Sequence, residues 1–154
     1  MSHVEESVII DADPMAVYAM VTDLTRMGEW SPENVGGRWL GEATGPAVGA
    51  RFKGSNHKGV RRWRTVCTIS QADPGHQFAF SVKYLGMTVS EWSYSFERAG
   101  DGCIVNERWT DKRPAGMRRL SDVVLGVRDR REHNLEGIRA TLANLRSKAQ
   151  ATKS

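Results

Sequence analysis

A chain of 154 residues, 40% hydrophobic and 26% charged, has the make-up of one globular domain with a substantial core. No apolar run approaches the roughly 18 residues of a membrane span, so none is expected. The formal charge of +4 is spread along the chain, with Arg61, Arg62 and Arg64, then Arg128, Arg130 and Arg131, as the only clusters, and nucleic acid is not the expected partner. The start, Met1 to Glu6, is charged rather than basic and then apolar, unlike a secretory leader, which points to the cytoplasm. Cys67 and Cys103 have no CxxC partner or nearby His and read as buried free thiols, without a metal site or disulfide.

Val4 to Asp11 reads as a first strand. Asp13-Pro14 opens a helix, Asp13 capping free amides and Pro14 standing where no amide is needed, with Met15, Tyr18 and Val21 or Thr22 as its buried face. Asp23 caps a second short helix that Gly28 ends, leaving Glu29-Trp30-Ser31-Pro32 on the exit loop. Trp30 either plugs the core edge or lines a cavity mouth. Strand patterns then follow at Arg38 to Gly41, Ala50 to Lys58, Arg61 to Ala72, Gln77 to Tyr84, Thr88 to Arg98 and Cys103 to Lys112, separated by Gly-, Pro- and Asp-rich turns and a tight turn at Leu85-Gly86. The last helix spans Met117 to Ser147, with Leu120, Val124, Val127, Leu135, Ile138, Leu142 and Leu145 in one stripe and Arg131 in its middle. At about 1.5 Å per residue such a helix reaches about 45 Å. The domain is expected to fill residues 1–154, with 148–154 as a frayed tail.

Alternation divides the four long strands into a wet face and an apolar one. The apolar face carries Trp63, Thr65, Cys67 and Ile69, then Phe78, Phe80, Val82 and Tyr84, then Trp92, Tyr94 and Phe96, then Cys103, Val105, Glu107, Trp109 and Asp111. Closing the turns suggests a row of Cys67, Phe80, Trp92 and Glu107; a slip by two residues would keep the same faces. The final helix must cover this face.

The order of strand, two short helices, long antiparallel sheet and one long C-terminal helix is the helix-grip arrangement, an α+β fold. On Asp23 to Glu33, Gly49 to Asn56, Glu91 to Tyr94, and Gly126 to Arg130 with His133-Asn134, the sequence resembles the START-like superfamily, and within it the polyketide cyclase/dehydrase-like branch of actinobacterial type. That resemblance covers residues 4 to 147 and implies a curved sheet gripping the helix around a hydrophobic cavity. Its members range from lipid carriers to aromatic cyclases, so it implies a fold and a cavity rather than a reaction, and it carries no catalytic residue over.

Glu107, between Val105 and Trp109, is a lone acid on an apolar strand face. Burial there raises a carboxyl pKa unless a cation is close and suits general acid or base work. Arg131 is the natural cation. The pair reads either as a device that orients a polar group of a greasy ligand or as a structural ion pair, with Arg131 rolling to the helix flank as a third reading. Trp30, Trp63, Phe80, Tyr84, Trp92, Trp109 and Val127 read as a ligand lining or as plain core, and Asn134 as a donor to a ligand carbonyl. His133 reads as a surface residue or an acid/base group, His57 as a surface residue, and Asp111 as a partner of Lys112, Arg113 or Arg118. No GxSxG, GxGxxG, Walker or HExxH pattern is present, and no cofactor is expected. Three readings remain open: a binding protein for an aromatic, polyketide-like or lipid-like molecule, a cofactor-independent cyclase or dehydratase with Glu107 as acid or base and Arg131 or Asn134 polarising a carbonyl, and a protein-interaction or stress-linked module, the chain acting as monomer or homodimer.

Overall fold

The computed structural model describes residues 3–114, 116 and 130–153. Seven antiparallel strands make one sheet in the order β1-β7-β6-β5-β4-β3-β2. They are β1 (His3–Ile10), β2 (Asn34–Trp39), β3 (Arg51–Lys58), β4 (Arg61–Asp73), β5 (Gln77–Tyr84), β6 (Met87–Ala99) and β7 (Gly102–Asp111). Between β1 and β2 come α1 (Pro14–Val21) and a 3-10 helix at Leu24–Glu29, and the chain closes with α2 (Arg130–Lys153). The curved sheet with one long C-terminal helix is the helix-grip fold.

Both short helices start as their sequences dictate. The carboxylate of Asp13 accepts the Met15 amide at 2.8 Å, and that of Asp23 accepts the Thr25 amide at 3.1 Å. In α1 the buried residues are Pro14, Val17, Tyr18 and Val21, whereas Met15 faces out.

Strand alternation predicts the faces correctly, but the register differs from the expected row. Ile69, not Cys67, stands opposite Phe80, and Tyr94, not Trp92, stands opposite Glu107. The three-residue turn between Asp73 and Gln77, less the one residue taken up by a bulge between Ile69 and Gln71, sets the first pair, and the two-residue turn that joins Ala99 to Gly102 sets the second. Phe80 faces Trp92, as in the expected row, and Val82 faces Ser90. Both shifts amount to two residues, so no side chain changes face.

Ile138, Leu142 and Leu145 of α2 are buried in one cluster with Phe52, Ile69, Phe78, Phe80, Val105 and Trp109 of the sheet. The residues 117–129, which hold Leu120, Val124 and Val127 of the expected stripe, lie outside the described residues. At its other end the helix continues through Lys153, past the expected frayed tail from 148. Ala149 is buried, and the Gln150 side chain accepts the Asp11 amide at 3.0 Å, which ties this last turn to the end of β1. Among the described residues no helix is long and apolar enough to cross a membrane. Cys67 and Cys103 are buried free thiols, and burial pushes the Cys67 thiol up to about 12.

One turn departs from its local preference. Tyr84 pairs with Met87, so Leu85 and Gly86 form a two-residue hairpin turn with φ of 54° and 81°. Positive φ at both central positions is the type I′ pattern, which suits Asn, Asp or Gly. Leu85 holds it with a side chain that is 84% exposed, so no packing offsets the steric cost of about 1 kcal/mol. Leu85→Asn is therefore expected to stabilise the fold by about 0.5 to 1 kcal/mol, read as a higher denaturant midpoint at unchanged slope; a lower midpoint would contradict this account of the turn.

Candidate functional site

The apolar face of β7 runs Cys103, Val105, Glu107, Trp109 and Asp111, all buried. Period two leaves Glu107 no route to water, and it is 2% exposed. The Tyr94 hydroxyl, directly across on β6, donates to its Oε2 at 2.7 Å. Its Oε1 is buried and accepts no hydrogen bond from the described residues. Burial pushes the Glu107 carboxyl up to about 8, against the smaller lowering by the Tyr94 hydroxyl. The Tyr94 hydroxyl is in turn raised well above its ordinary range, first by burial and then by the nearby carboxylate. At neutral pH this is a protonated acid with one oxygen uncommitted, a group that can donate to an acceptor or exchange a proton.

The expected ion pair with Arg131 is not the partner of this acid. Arg131 is exposed, and the inward position of the first turn of α2 belongs to Arg130. The cause is the loop after the 3-10 helix. The Ser31 amide donates to the Met27 carbonyl, the Ser31 hydroxyl accepts the Asn34 amide, and the His57 amide donates to the Glu33 carbonyl. The Asn144 side chain donates to the Trp30 carbonyl at 3.0 Å. This pinned loop covers the flank of α2 that carries Arg130, Asn134 and Asn144, so the buried stripe there is rotated away from Arg131.

Glu33 reaches into that flank. Its carboxylate accepts Nη1 of Arg130 at 2.8 and 3.0 Å and lies 3.3 Å from Nε2 of His133. Burial pushes this carboxyl up, but the contacts with His133 and Arg130 outweigh it and hold Glu33 below its ordinary value. Arg130 also donates to Oδ1 of the buried Asn134 at 3.4 Å, and its guanidinium lies 6.0 Å from the centre of the Trp63 ring. Asn134 is thus engaged with Arg130, and His133 faces Glu33 rather than open surface.

The aromatic candidates separate. Trp30 and Trp109 are buried in the core, Trp30 with the Arg26 guanidinium 5.2 Å from its ring. Phe80 packs edge-on to Phe52 at 5.2 Å and tilted against Phe78 at 5.6 Å. Trp63 and Trp92 are half-buried on the same face, whereas Tyr84 is 38% exposed at the rim, beyond the core. Val127 lies outside the described residues. Asp111 forms a bidentate pair with Arg113 at 3.0 Å, one of the three partners expected for it. A separate open groove of about 510 Å³ lies between β1 and α2, lined by Glu6, Val8, Arg139, Leu142, Arg146 and Gln150 among others. Glu6, at its wall, stands opposite Glu107 in the sheet and pairs with Arg139 at 3.3 Å.

Sequence reasoning missed Tyr94 as a partner of Glu107, reading it only as an aromatic, and missed the Glu33 to Arg130 contact. The signal for the latter is faint: a Glu after Pro in a loop and an Arg on a distant helix.

The family model for polyketide cyclase/dehydrase and lipid transport matches residues 1–150. The chain belongs to that family. Among solved structures, the polyketide cyclase/dehydrase-like protein Cgl2372 of Corynebacterium glutamicum shares 32% identity at a TM-score of 0.69, over 99% of this chain and 93% of that one. The di-domain aromatase/cyclase StfQ of the steffimycin biosynthetic pathway is 12% identical at a TM-score of 0.76, over 98% of this chain and 51% of that one. The Aha1 dimer of Colwellia psychrerythraea is 14% identical at 0.69, over the full length of both chains. The last two likenesses are of fold alone. No protein of curated description matches the chain. A shared fold does not fix a reaction, so the family and these likenesses leave the chemistry of this polyketide cyclase/dehydrase-like chain to its own residues.

The carboxyl makes stability depend on pH with a definite sign. Folded Glu107 keeps its proton up to about 8, whereas the unfolded side chain loses it near 4.5. Between these values the unfolded state binds fewer protons, so stability falls as pH rises, by a few kcal/mol in all. Urea unfolding of the wild type and of Glu107→Gln is expected to show this extra fall from pH 5 to 8 in the wild type only; parallel curves would contradict it.

Proposed function

We propose that this protein binds a hydrophobic, aromatic or polyketide-like small molecule between the sheet and α2, with the protonated Glu107 carboxyl donating from Oε1 to a carbonyl or other neutral acceptor of the ligand. The observation that carries the reading is the uncommitted Oε1 of a buried acid whose other oxygen is already held by Tyr94. A buried polar atom without a partner costs about 1 to 3 kcal/mol, and a ligand acceptor would remove that cost. Phe80, Trp92 and Trp109 share the face of Glu107 and offer flat apolar surface beside the polar anchor. A ligand ammonium would need the carboxylate form and a ligand carboxylate would meet no described cation at Glu107, so a neutral acceptor fits best. Among the described residues Tyr94 of β6 holds the carboxyl, and Glu6, its neighbour across on β1, is turned to the exposed Arg139 of α2.

A second reading, a cofactor-independent cyclase or dehydratase, draws on the same carboxyl. An acid pushed up to about 8 is poised to give and take a proton near neutral pH, and Tyr94 would hold it in place. In both readings Arg130, Asn134 and Trp63 form a polar wall at the start of α2, and Arg131 has no role.

Titration of tryptophan fluorescence with a hydroxyanthraquinone tests the binding reading. Saturable quenching is expected in the wild type, weakening above pH 8 as Glu107 ionises. Glu107→Gln keeps a donor and should bind with no pH dependence, whereas Glu107→Leu should bind about tenfold more weakly. Equal binding by all three proteins at every pH would remove Glu107 from the site.

A further inference from the structure

We propose that the end of the sheet formed by the tips of two hairpins, Gly59-Val60 and Leu85-Gly86, docks onto the surface of an anionic phospholipid bilayer. The proposal stands on that surface alone and is independent of what the interior binds.

The topology brings the tips together. β3 ends at Lys58 and β4 begins at Arg61, while β5 ends at Tyr84 and β6 begins at Met87. Because β4 and β5 are adjacent and antiparallel, with Val66 opposite Lys83, both turns project from the same end. That end also carries the start of β2, where Asn34 pairs with Asn56.

Apolar exposure is concentrated there. Among the described residues the exposed large hydrophobic side chains are Val35, Val60, Tyr84, Leu85 and Met87 at this end, and Ile9, Met15 and Val48 elsewhere. Val60 is 95% exposed at the very tip of its turn. Leu85 holds its exposure in a backbone conformation that Asn or Gly would adopt more readily. Folding gains nothing from an apolar side chain at either position, whereas a bilayer interface does.

The charges around the tips are of one sign. From Arg51 to Ala72 the sequence has six Lys and Arg and no Asp or Glu. Lys58, Arg61, Arg62 and Lys83 flank the two turns, and none is in an ion pair within the described structure. The acids described at this end are engaged: Glu33 with Arg130, Asp111 with Arg113, and Glu91 with Lys112 at 4.0 Å. Unpaired basic side chains around protruding apolar ones match lipid phosphates outside and acyl chains within. A nucleic acid would use the same charges but would gain nothing from Val60 and Leu85.

Co-sedimentation of the full chain with vesicles tests this. Vesicles of phosphatidylcholine mixed with phosphatidylglycerol are expected to bind it, and phosphatidylcholine alone to bind it far less. Leu85→Asn and Val60→Ser change exposed turn residues without touching the core, and each should weaken binding by about tenfold. Arg61→Gln and Arg62→Gln should each weaken it by about fivefold, and added salt should weaken it further. No binding to the anionic vesicles would overturn the proposal. So would binding unchanged by Leu85→Asn and Val60→Ser, or an equal affinity for a DNA duplex that those two substitutions leave intact, since either marks plain attraction to polyanions.

Discussion

The hydrogen bond from Tyr94 to Glu107 is the contact on which the chemistry of this fold depends. A carboxyl on the dry face of a sheet is tolerated only if it is neutral or paired. Here it is neutral, with one oxygen held by a phenol across the ladder and the other left over. Were a guanidinium beside it, the group would be a carboxylate anchored to the frame. With none beside it among the described residues, the same residue is a weak acid near neutral pH. The sheet supplies the geometry at little cost, because Tyr94 and Glu107 are direct antiparallel partners and both point to the core by strand periodicity.

The second polar centre serves the architecture. Glu33, Arg130, His133 and Asn134 tie the loop after the 3-10 helix to the first turns of α2, and Asn144 fastens Trp30 two turns and more further on. These contacts orient the helix over the sheet, as Arg139 with Glu6 and Gln150 with Asp11 do from the β1 side. The helix is thus gripped along both flanks by side chains far away in sequence. Its buried stripe of Ile138, Leu142 and Leu145 supplies the apolar contact between them.

Most of the architecture was legible in the residues. Period two separated the faces of four strands, and Gly, Pro and Asp marked their turns, because those signals are local. Glu107 stood out for the same reason, as the one acid among inward apolar positions of β7 apart from Asp111 near its end. What escaped depends on distant parts of the chain. The register slipped by two on both sides of the β5-β6 hairpin, since a slip of two preserves every face and only the lengths of two turns, with a one-residue bulge, decide it. Arg131 lost its place to Arg130 because the rotation of α2 is set by Glu33, about a hundred residues earlier. The end of that helix read as a frayed tail because Ala149 and Gln150 say nothing of Asp11 until the chain has folded.

The most direct test is a carboxyl titration of Glu107 by carbon-13 NMR of the side-chain carboxyl, assigned by its loss in Glu107→Gln. The account predicts a single transition near 8, well apart from those of the exposed glutamates. A transition near 4.5 would show a solvated or cation-paired carboxylate and would contradict the neutral acid on which the proposed site rests.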